Sequence, residues 1–363
     1  MTPTIAAPRA LAAEVVADLA ALTPGRRAQW DALAVAAGRP FAAPGWLVPW
    51  WEHVRPPGAQ LRLVVVTAED GGVVGVGPFY VTGRGRLSTW RPLGAGLCDR
   101  VEPLAAAGRG PEVAAALAGA MAGAGADIVT LEGMPPGSPW PALLRDAWPG
   151  TRRPWLGRRP VVAALAIDLR GQTFDAWFMN KTSHFRQRLR RSRREFAGRG
   201  GVVRAADAQT VEQDLQDFAA LHRSRWASRA ADNVITPQVE QMLQAVGRAL
   251  PAGDRLRVVA LELDGQTIAS SLLLAAGSEL AYWRNCFSPE FAALSPSRIS
   301  ILTVIERAFA SGADRLDLGA GIFDYKLRFA DAEEVLDWYW LVPPGRRAPL
   351  ARAAVRARWA AGD

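Results

Sequence analysis

Apolar and polar positions fall into the same order twice along the chain. Leu61-Arg-Leu-Val-Val-Val66 is followed by Glu69-Asp-Gly-Gly72 and the apolar run Val73 to Val81, closing at Gly83-Arg-Gly85. Some 195 residues later, Leu256-Arg-Val-Val-Ala260 is followed by Asp264-Gly265, the run Thr267 to Ala276, and Gly277. Each reads as strand, tight turn, strand, with Asp-Gly as the turn signal. A tryptophan-bearing helical segment precedes each hairpin, at Trp30 to Trp51 and at Val211 to Ala227. A further apolar strand and an alanine-rich helix follow, Pro111 to Gly123 and Ser297 to Gly312, and these feed matching strands, Asp127 to Leu131 and Asp314 to Leu318. Hairpin, strand, helix, strand predicts an α/β fold of the mixed-sheet α+β kind in two similar halves. The expected organisation is a first half at 1–150, a linker at 151–170 within a Pro-, Trp- and Arg-rich stretch, a second half at 171–350 and a tail at 351–363.

Helical periods mark two more segments. Trp46, Trp50 and Trp51 stand at i, i+4 and i+5, a core-facing stripe. Phe185, Leu189 and Phe196 form one stripe of a helix that Asn180 or Thr182 can cap and Gly198 can end. The remaining surface of that helix carries Arg186, Arg188, Arg190, Arg191, Arg193 and Arg194, preceded by Lys181. Such a surface is either an ordinary solvated face or a field for a polyanion. His184 lies on it with no second ligand at metal-binding spacing.

Composition sharpens this picture in three places. Half of the 363 residues are hydrophobic and 21% are charged, which excludes a disordered chain. The net charge of +8 favours acidic partners such as phosphates, nucleotides, anionic headgroups or nucleic acid. Among 43 basic residues, only Lys181 and Lys326 are lysines. In a chain that uses arginine for positive charge, a lysine suits a compact point charge or a tunable amine. Cys98 and Cys286 make neither a metal pattern nor a disulfide framework and read as thiols in a reducing compartment. The first 27 residues carry Glu14 and Asp18 and lack a basic head, so no signal peptide is expected. No apolar run approaches the roughly 18 residues of a membrane span. These features predict a soluble, cytoplasmic protein without a transmembrane segment.

Candidate chemistry collects in the second half. Glu279 to Phe287 reads as a strand, Ser288 to Pro296 as a loop and Ser297 to Ser311 as a helix. Ser295 suits the N-cap, Pro296 the first turn and Gly312 the stop. A helix start of this kind, with Ser297 and Arg298 in its first turn, suits a phosphate. The strand ending in Gly319-Ala-Gly321 then delivers Asp324-Tyr325-Lys326. Asp317 points opposite to Leu316 and Leu318, into a cleft or into solvent.

The succession Tyr-Trp-Arg-Asn at 282–285, Pro-Glu-Phe at 289–291, Leu-Ser-Pro at 294–296, Leu-Asp-Leu-Gly-Ala-Gly at 316–321 and Tyr325-Lys326 resembles the CelD/BcsL-type acetyltransferase-like family. That family belongs to the GNAT superfamily and is close to the FemABX peptidyltransferases. The specific likeness covers about Gly171 to Phe329. The first half is similar more loosely, through Pro40-Phe41, the segment Trp46 to Trp51 and Val76-Gly77-Pro78. The resemblance implies tandem GNAT-like domains, with the acyl donor held by the second. It implies acetyl-CoA or another acyl-CoA as co-substrate, no metal, a strand carrying Arg284 and Asn285 along the pantetheine arm, and Ser295, Ser297 and Arg298 at the pyrophosphate. The Gly-rich pyrophosphate loop of standard GNAT enzymes is replaced here by Ala293-Leu-Ser-Pro-Ser-Arg298.

Acyl transfer to an amine needs a proton acceptor, an oxyanion stabiliser and a proton for the leaving thiolate. Tyr325 can serve the leaving sulfur or the carbonyl oxygen, and Lys326 the oxyanion or a phosphate. Asp317, Asp324 or Glu290 can take the proton of the amine. The structural alternatives are an Asp317–Lys326 ion pair locking strand to helix and a packed Tyr325 ring. The basic helix, through Lys181, Arg186 and Arg190, is expected to shape a substrate or polyanion groove. His222 and Trp226 are expected on the acceptor side, with packing of Trp226 as the simpler account.

Three functions fit. One is an acyl-CoA-dependent N-acyltransferase acting on a small-molecule amine or sugar-linked acceptor of an envelope or polysaccharide precursor. Another is an aminoacyl-tRNA-dependent ligase that grips tRNA through the helix at 181–194. The third is a non-catalytic partner of a polysaccharide-synthesis complex.

Overall fold

The computed structural model describes residues 11–82, 87–226 and 234–361. The first half runs β1 (Ala12–Val16), α1 (Pro24–Ala36), α2 (Pro44–Val54), β2 (Gln60–Thr67), β3 (Val73–Thr82), β4 (Thr89–Pro92), the short β5 (Leu104–Ala105), α3 (Gly110–Gly123), β6 (Ile128–Met134), α4 (Trp140–Asp146) and β7 (Trp155–Asp168). Two helices, α5 (Phe174–Met179) and α6 (Ser183–Gly198), then lead into the second half. That half repeats the order: β8 (Val202–Ala205), α7 (Val211–Trp226), α8 (Pro237–Ala249), β9 (Leu256–Leu263), β10 (Gln266–Ala276), β11 (Glu279–Phe287), α9 (Pro296–Ala310), β12 (Arg315–Ala320), α10 (Asp324–Leu327) and β13 (Ala332–Val342). A last helix, α11 (Ala348–Ala361), follows.

Both expected hairpins form. In the second, Asp264 and Gly265 take left-handed backbone at φ 53° and 75°, the conformation a two-residue hairpin turn requires. The end expected for the first, Gly83 to Gly85, lies outside the described residues, as do Ala227 and the first ten residues of the chain.

All the strands belong to one sheet, whose order is β1-β2-β3-β4-β6-β13-β7-β12-β11-β10-β9-β8, with β5 beside β3. The order is a palindrome of the two halves. In each, the fourth strand pairs in parallel with the strand after the crossover helix, β4 with β6 and β11 with β12. The last strand of each half then leaves for the other: β13 lies against β6, and β7 lies against β12. β7 and β13 pair with each other along their length at the centre.

Helices cover both faces, as a buried mixed sheet requires. On one face α1, α2, α7 and α8 share a core that includes Trp30, Trp46, Trp50, Phe218 and Leu243. The expected Trp46 and Trp50 stripe is therefore core, while Trp51 packs at its edge. On the other face α3 covers the first half and α5, α6 and α9 cover the second.

Two expectations about organisation are corrected. The stretch at 151–170, expected as a linker, holds the 14-residue β7. The residues after 350, expected as a tail, form most of α11, whose Ala351 and Val355 bury against Trp340.

Candidate active site between β11 and β12

Two neighbouring parallel strands part company in the second half. β11 and β12 are paired only from Glu279 to Ala281 and from Arg315 to Asp317. Beyond that point β11 runs on to Phe287, with a bulge at Trp283 where it faces β10. β12 ends at Ala320 after Gly319 takes φ 78°. Beyond Asp317 the two strands no longer pair with each other, and side chains take up main-chain groups of β12: Asp317 accepts from the Gly319 N–H and Asp99 from the Ala320 N–H.

The first half has the same geometry but closes it. Ala124-Gly-Ala-Asp127 and Ser311-Gly-Ala-Asp314 stand before β6 and β12 in matching positions, so Glu132 in β6 corresponds to Gly319 in β12. Glu132 binds Arg91 of β4 through contacts of 2.8 and 3.1 Å, filling the gap there. Gly133 lets the chain at Asp99 pass so close that any side chain would strike the Asp99 carbonyl. At Gly319 no side chain intrudes, and the space is bordered by Asp99 Oδ2, the Tyr282 carbonyl and Lys326 Nζ.

The loop Leu97 to Arg100 that plugs the first gap reaches the second. Trp283 Nε1 donates to the Leu97 carbonyl at 2.8 Å, and Trp46 Nε1 to Cys98 Sγ at 2.9 Å. Asp99 Oδ2 accepts from the Ala320 N–H at 2.8 Å, and Arg100 makes ion pairs with Asp317 at 2.9 Å and Glu334 at 3.0 Å. These contacts fix an aspartate of the first half at the mouth of a cleft in the second.

Lys326 is 7% exposed and makes no ion pair among the described residues. Its Nζ donates at 3.5 Å to the Ala320 carbonyl and lies 5.3 Å from the centre of the exposed Phe323 ring. Burial pulls its ammonium below the ordinary lysine value, Asp99 and Asp317 pull the other way, and Arg284 adds to the lowering. The Asp317–Lys326 pair considered from the sequence does not form, since Asp317 takes Arg100 and the N–H of Gly319 instead. Tyr325 is half-buried, and its hydroxyl makes no hydrogen bond among the described residues. Burial raises its pKa, opposed by Arg225 and Arg284.

Next to Tyr325 is a cavity of about 550 Å³ lined by Arg188 of α6, Arg298 of α9, Arg328, and the exposed Ile322 and Phe323. None of the three arginines pairs with a carboxylate among the described residues. Burial lowers the pKa of Arg298, and the charges of Arg188 and Arg328 lower it further. Arg298 in the first turn of the 15-residue α9, Arg188 of α6 and Arg328 after α10 thus concentrate like charge in one cavity, an arrangement that suits a polyvalent anion. Pro296 occupies the first helical position and Gly312 follows the end at φ 72°, as the sequence predicts. Ser295 departs from expectation: it has φ 56° and its side chain caps nothing. Ser297 and Arg298 sit in the first turn as expected.

The other expected residues divide. On β11, Asn285 donates to Ser271 Oγ at 2.9 Å, while Asn285 Oδ1 and Arg284 Nε are buried without a partner. Asp324 lines the same cavity as Arg298 and is exposed. Glu290 is exposed in a short 3-10 turn, Pro289–Leu294, and lines a different cavity with Arg204 and Asp217, so it does not join Tyr325 and Lys326. His222 is buried in α7 and Trp226 ends that helix beside it.

The basic helix is α6. Thr182 caps it, and Phe185, Leu189 and Phe196 are buried as the stripe predicts. Lys181 is corrected from groove to scaffold: its Nζ donates to the carbonyls of Phe329 and Ala330 and pairs with Asp331 at 2.7 Å. Arg186 likewise turns back to the carbonyls of Met179 and Lys181, and Arg190 lies over the Phe178 ring at 5.4 Å. The α6 arginine that lines the cavity is Arg188. Sequence reasoning also passed over Asp99, Arg100, Arg225 and Arg328. For the last, its spacing of three from Tyr325 on a short helical turn was an available signal.

Comparison with known proteins now bears on this cleft. Residues 183–327, from the start of α6 through α10, match the family model described as acetyltransferase (GNAT) domain. The chain carries a GNAT-type acetyltransferase domain. No curated protein matched the sequence. Among solved structures, the C-terminal DUF2156 domain of a protein named as a lysylphosphatidylglycerol synthetase, from Agrobacterium fabrum, aligns over 92% of this chain and 96% of its own, with TM-score 0.58 and 13% identity. FemX aligns over 84% of this chain and 92% of its own, with TM-score 0.58 and 13% identity. L-PGS from Bacillus licheniformis aligns over 80% and 88%, with TM-score 0.53 and 12% identity. At these identities the likeness is one of fold, and it extends across both halves. The GNAT domain contains the open gap, Tyr325, Lys326 and Arg298, while Asp99 reaches it from outside the matched residues. Among the described residues, no group of His, Cys, Asp and Glu side chains gathers as a metal site, and no helix is long and apolar enough to cross a membrane.

Proposed function

We propose that the protein is an acyl-CoA-dependent N-acyltransferase, with an amine of a small molecule or a sugar-linked envelope or polysaccharide precursor as acceptor. The observation that carries this reading is the cavity in which Arg188, Arg298 and Arg328 stand unpaired at the start of α9, next to Tyr325 and the gap between β11 and β12. A pyrophosphate-bearing donor supplies the charge that this cluster lacks, and its thioester supplies an activated carbonyl. The orphaned Asn285 Oδ1 fits a donor rich in amide and hydroxyl groups.

Within the cleft, Lys326 brings a compact positive charge, in a poorly hydrated position, to the point where an oxyanion develops. Tyr325, with a free hydroxyl, holds the proton for the leaving sulfur. Asp99 takes over the role of proton acceptor that the sequence left among Asp317, Asp324 and Glu290. Asp317 is committed to Arg100, Glu290 lines a different cavity and Asp324 lines the arginine cavity, whereas Asp99, though exposed, borders the gap beside Lys326.

Calorimetry with acetyl-CoA and longer acyl-CoAs tests the reading. Wild type is expected to bind in the micromolar range, with Arg298→Ala weaker by about tenfold, as for loss of one charge-assisted contact of roughly 1.4 kcal/mol. A folded wild type that binds none of them sinks the acyl-CoA reading. A second reading, transfer from an aminoacyl-tRNA, is favoured by the exposed arginines Arg188, Arg190, Arg191 and Arg194 on α6. It requires steeply salt-dependent tRNA binding that falls when those arginines are neutralised.

A further inference from the structure

A second set of unmatched cations stands apart from the cavity at α9. Arg284 of β11 is half-buried, lies over the Trp283 ring at 5.5 Å and keeps its Nε buried without a partner. Arg225, in the last turn of α7, lies over Phe287 at 4.4 Å and over Trp226 at 5.4 Å. Neither pairs with a carboxylate among the described residues. Several other half-buried arginines spend their donors on acids, as Arg91 does on Glu132 and Arg255 on Asp31, or on backbone carbonyls, as Arg27 and Arg186 do. Leaving a desolvated guanidinium unmatched costs several kcal/mol, so such a group marks a place where a bound anion completes the site.

The surroundings narrow the kind of anion. A guanidinium held beside an aromatic ring keeps its N–H donors for a planar anionic partner, and a carboxylate or phosphate suits that fork. Both charges act on the Tyr325 hydroxyl, yet neither residue lines the cavity with Arg188, Arg298 and Arg328. The cleft therefore has two cationic stations, one at the start of α9 and one along α7 and β11, with Tyr325 common to both. The acid within electrostatic reach of Arg284 is Asp99, whose Oδ2 is engaged by the Ala320 N–H.

We infer that Arg284 and Arg225 receive an anionic group, carboxylate or phosphate, carried by the amine acceptor itself. This rests on the reading of the cleft as an acyl-transfer site. The acceptor is then an amine with an acidic substituent, bound by that substituent on the α7 side while its nitrogen faces Tyr325, Lys326 and Asp99.

The test compares matched pairs of amines on the full chain at low salt, using calorimetry or the fluorescence of the neighbouring tryptophans. Glucosamine 6-phosphate is set against glucosamine, and 4-aminobutyrate against 4-aminobutanamide. The charged member of at least one pair is expected to bind tenfold or more tightly. A preference in the first pair alone assigns a phosphate, and in the second alone a carboxylate. Arg284→Gln and Arg225→Gln are expected to abolish the preference while leaving circular dichroism unchanged. Equal binding of charged and neutral members, no binding of any of the four, or a preference that survives in folded Arg284→Gln overturns the proposal. Acetyl-CoA binding, measured separately, keeps the two readings apart: its absence with the anion preference intact removes the donor assignment alone.

Discussion

Lys326 shows what a single residue contributes here. A guanidinium in its place would be larger, permanently charged and unable to sit against the Ala320 carbonyl in the same space. Lys326→Arg is therefore expected to stay folded and bind donor within threefold of wild type, yet to lose about 100-fold in kcat, the scale of removing one oxyanion stabiliser. Steady-state kinetics beside calorimetry checks this, and an unchanged kcat would remove Lys326 from the chemistry. The two lysines, singled out by their rarity, turn out to have opposite roles. Lys326 is buried with its charge unmatched, whereas Lys181 spends its donors on two carbonyls and Asp331. Rarity pointed to both residues but carried no information on partners 148 to 150 positions away.

At the scale of elements, the open gap depends on Gly319. Its left-handed backbone would cost another residue about 1–2 kcal/mol. An added Cβ would also stand 3.1 Å from Asp99 Oδ2 and 3.2 Å from the Tyr282 carbonyl. Gly319→Ala is expected to lower unfolding free energy by that amount in urea and to depress turnover further by displacing Asp99. Normal turnover in a destabilised variant would show that Asp99 is not needed where it stands. The hairpins, α6 and α9 were legible because their signals are local: Asp-Gly turns, a period of 3.6, a proline start and a glycine stop. β7 was missed because Arg158, Arg159 and Pro160 interrupt its apolar run. The sheet tolerates that proline where β13 shifts register between Leu336 and Asp337, opposite Pro160. The site was half-legible for the same reason. Tyr325, Lys326 and Arg298 lie near one another in sequence, but Asp99 and Arg100 arrive through a loop whose destination depends on the other half.

Across the whole molecule, the join between halves is charged. Glu279 pairs with Arg315 at 2.7 Å, Arg315 with Glu334, and Arg100 with both Glu334 and Asp317. Burial raises the Glu279 pKa to about 7, with Arg315 opposing and Asp317 adding to the rise. Because the folded value lies above the unfolded one, this group's contribution is complete below about pH 4.5 and is lost as pH rises through 7. Urea unfolding is therefore expected to show a contribution on the order of 3 kcal/mol declining between those limits, and Glu279→Gln should flatten it. Identical pH profiles for the two proteins would contradict the assignment. Deleting the chain from Ala332 onward removes β13 and α11 and uncovers β6 and β7 together. The product is expected to aggregate, by light scattering, rather than to keep a folded first half. A monomeric remnant with intact circular dichroism would show the halves to be independent.

The exchange of β7 and β13 also sets a timetable for synthesis. β6 is made about 200 residues before the strand that covers it. At roughly 5–20 residues per second, a nascent chain waits some 10–40 s with that edge bare. During that interval the edge can pair with any passing strand, so ribosome pace and chaperone supply decide the yield of a protein whose finished sheet conceals the hazard.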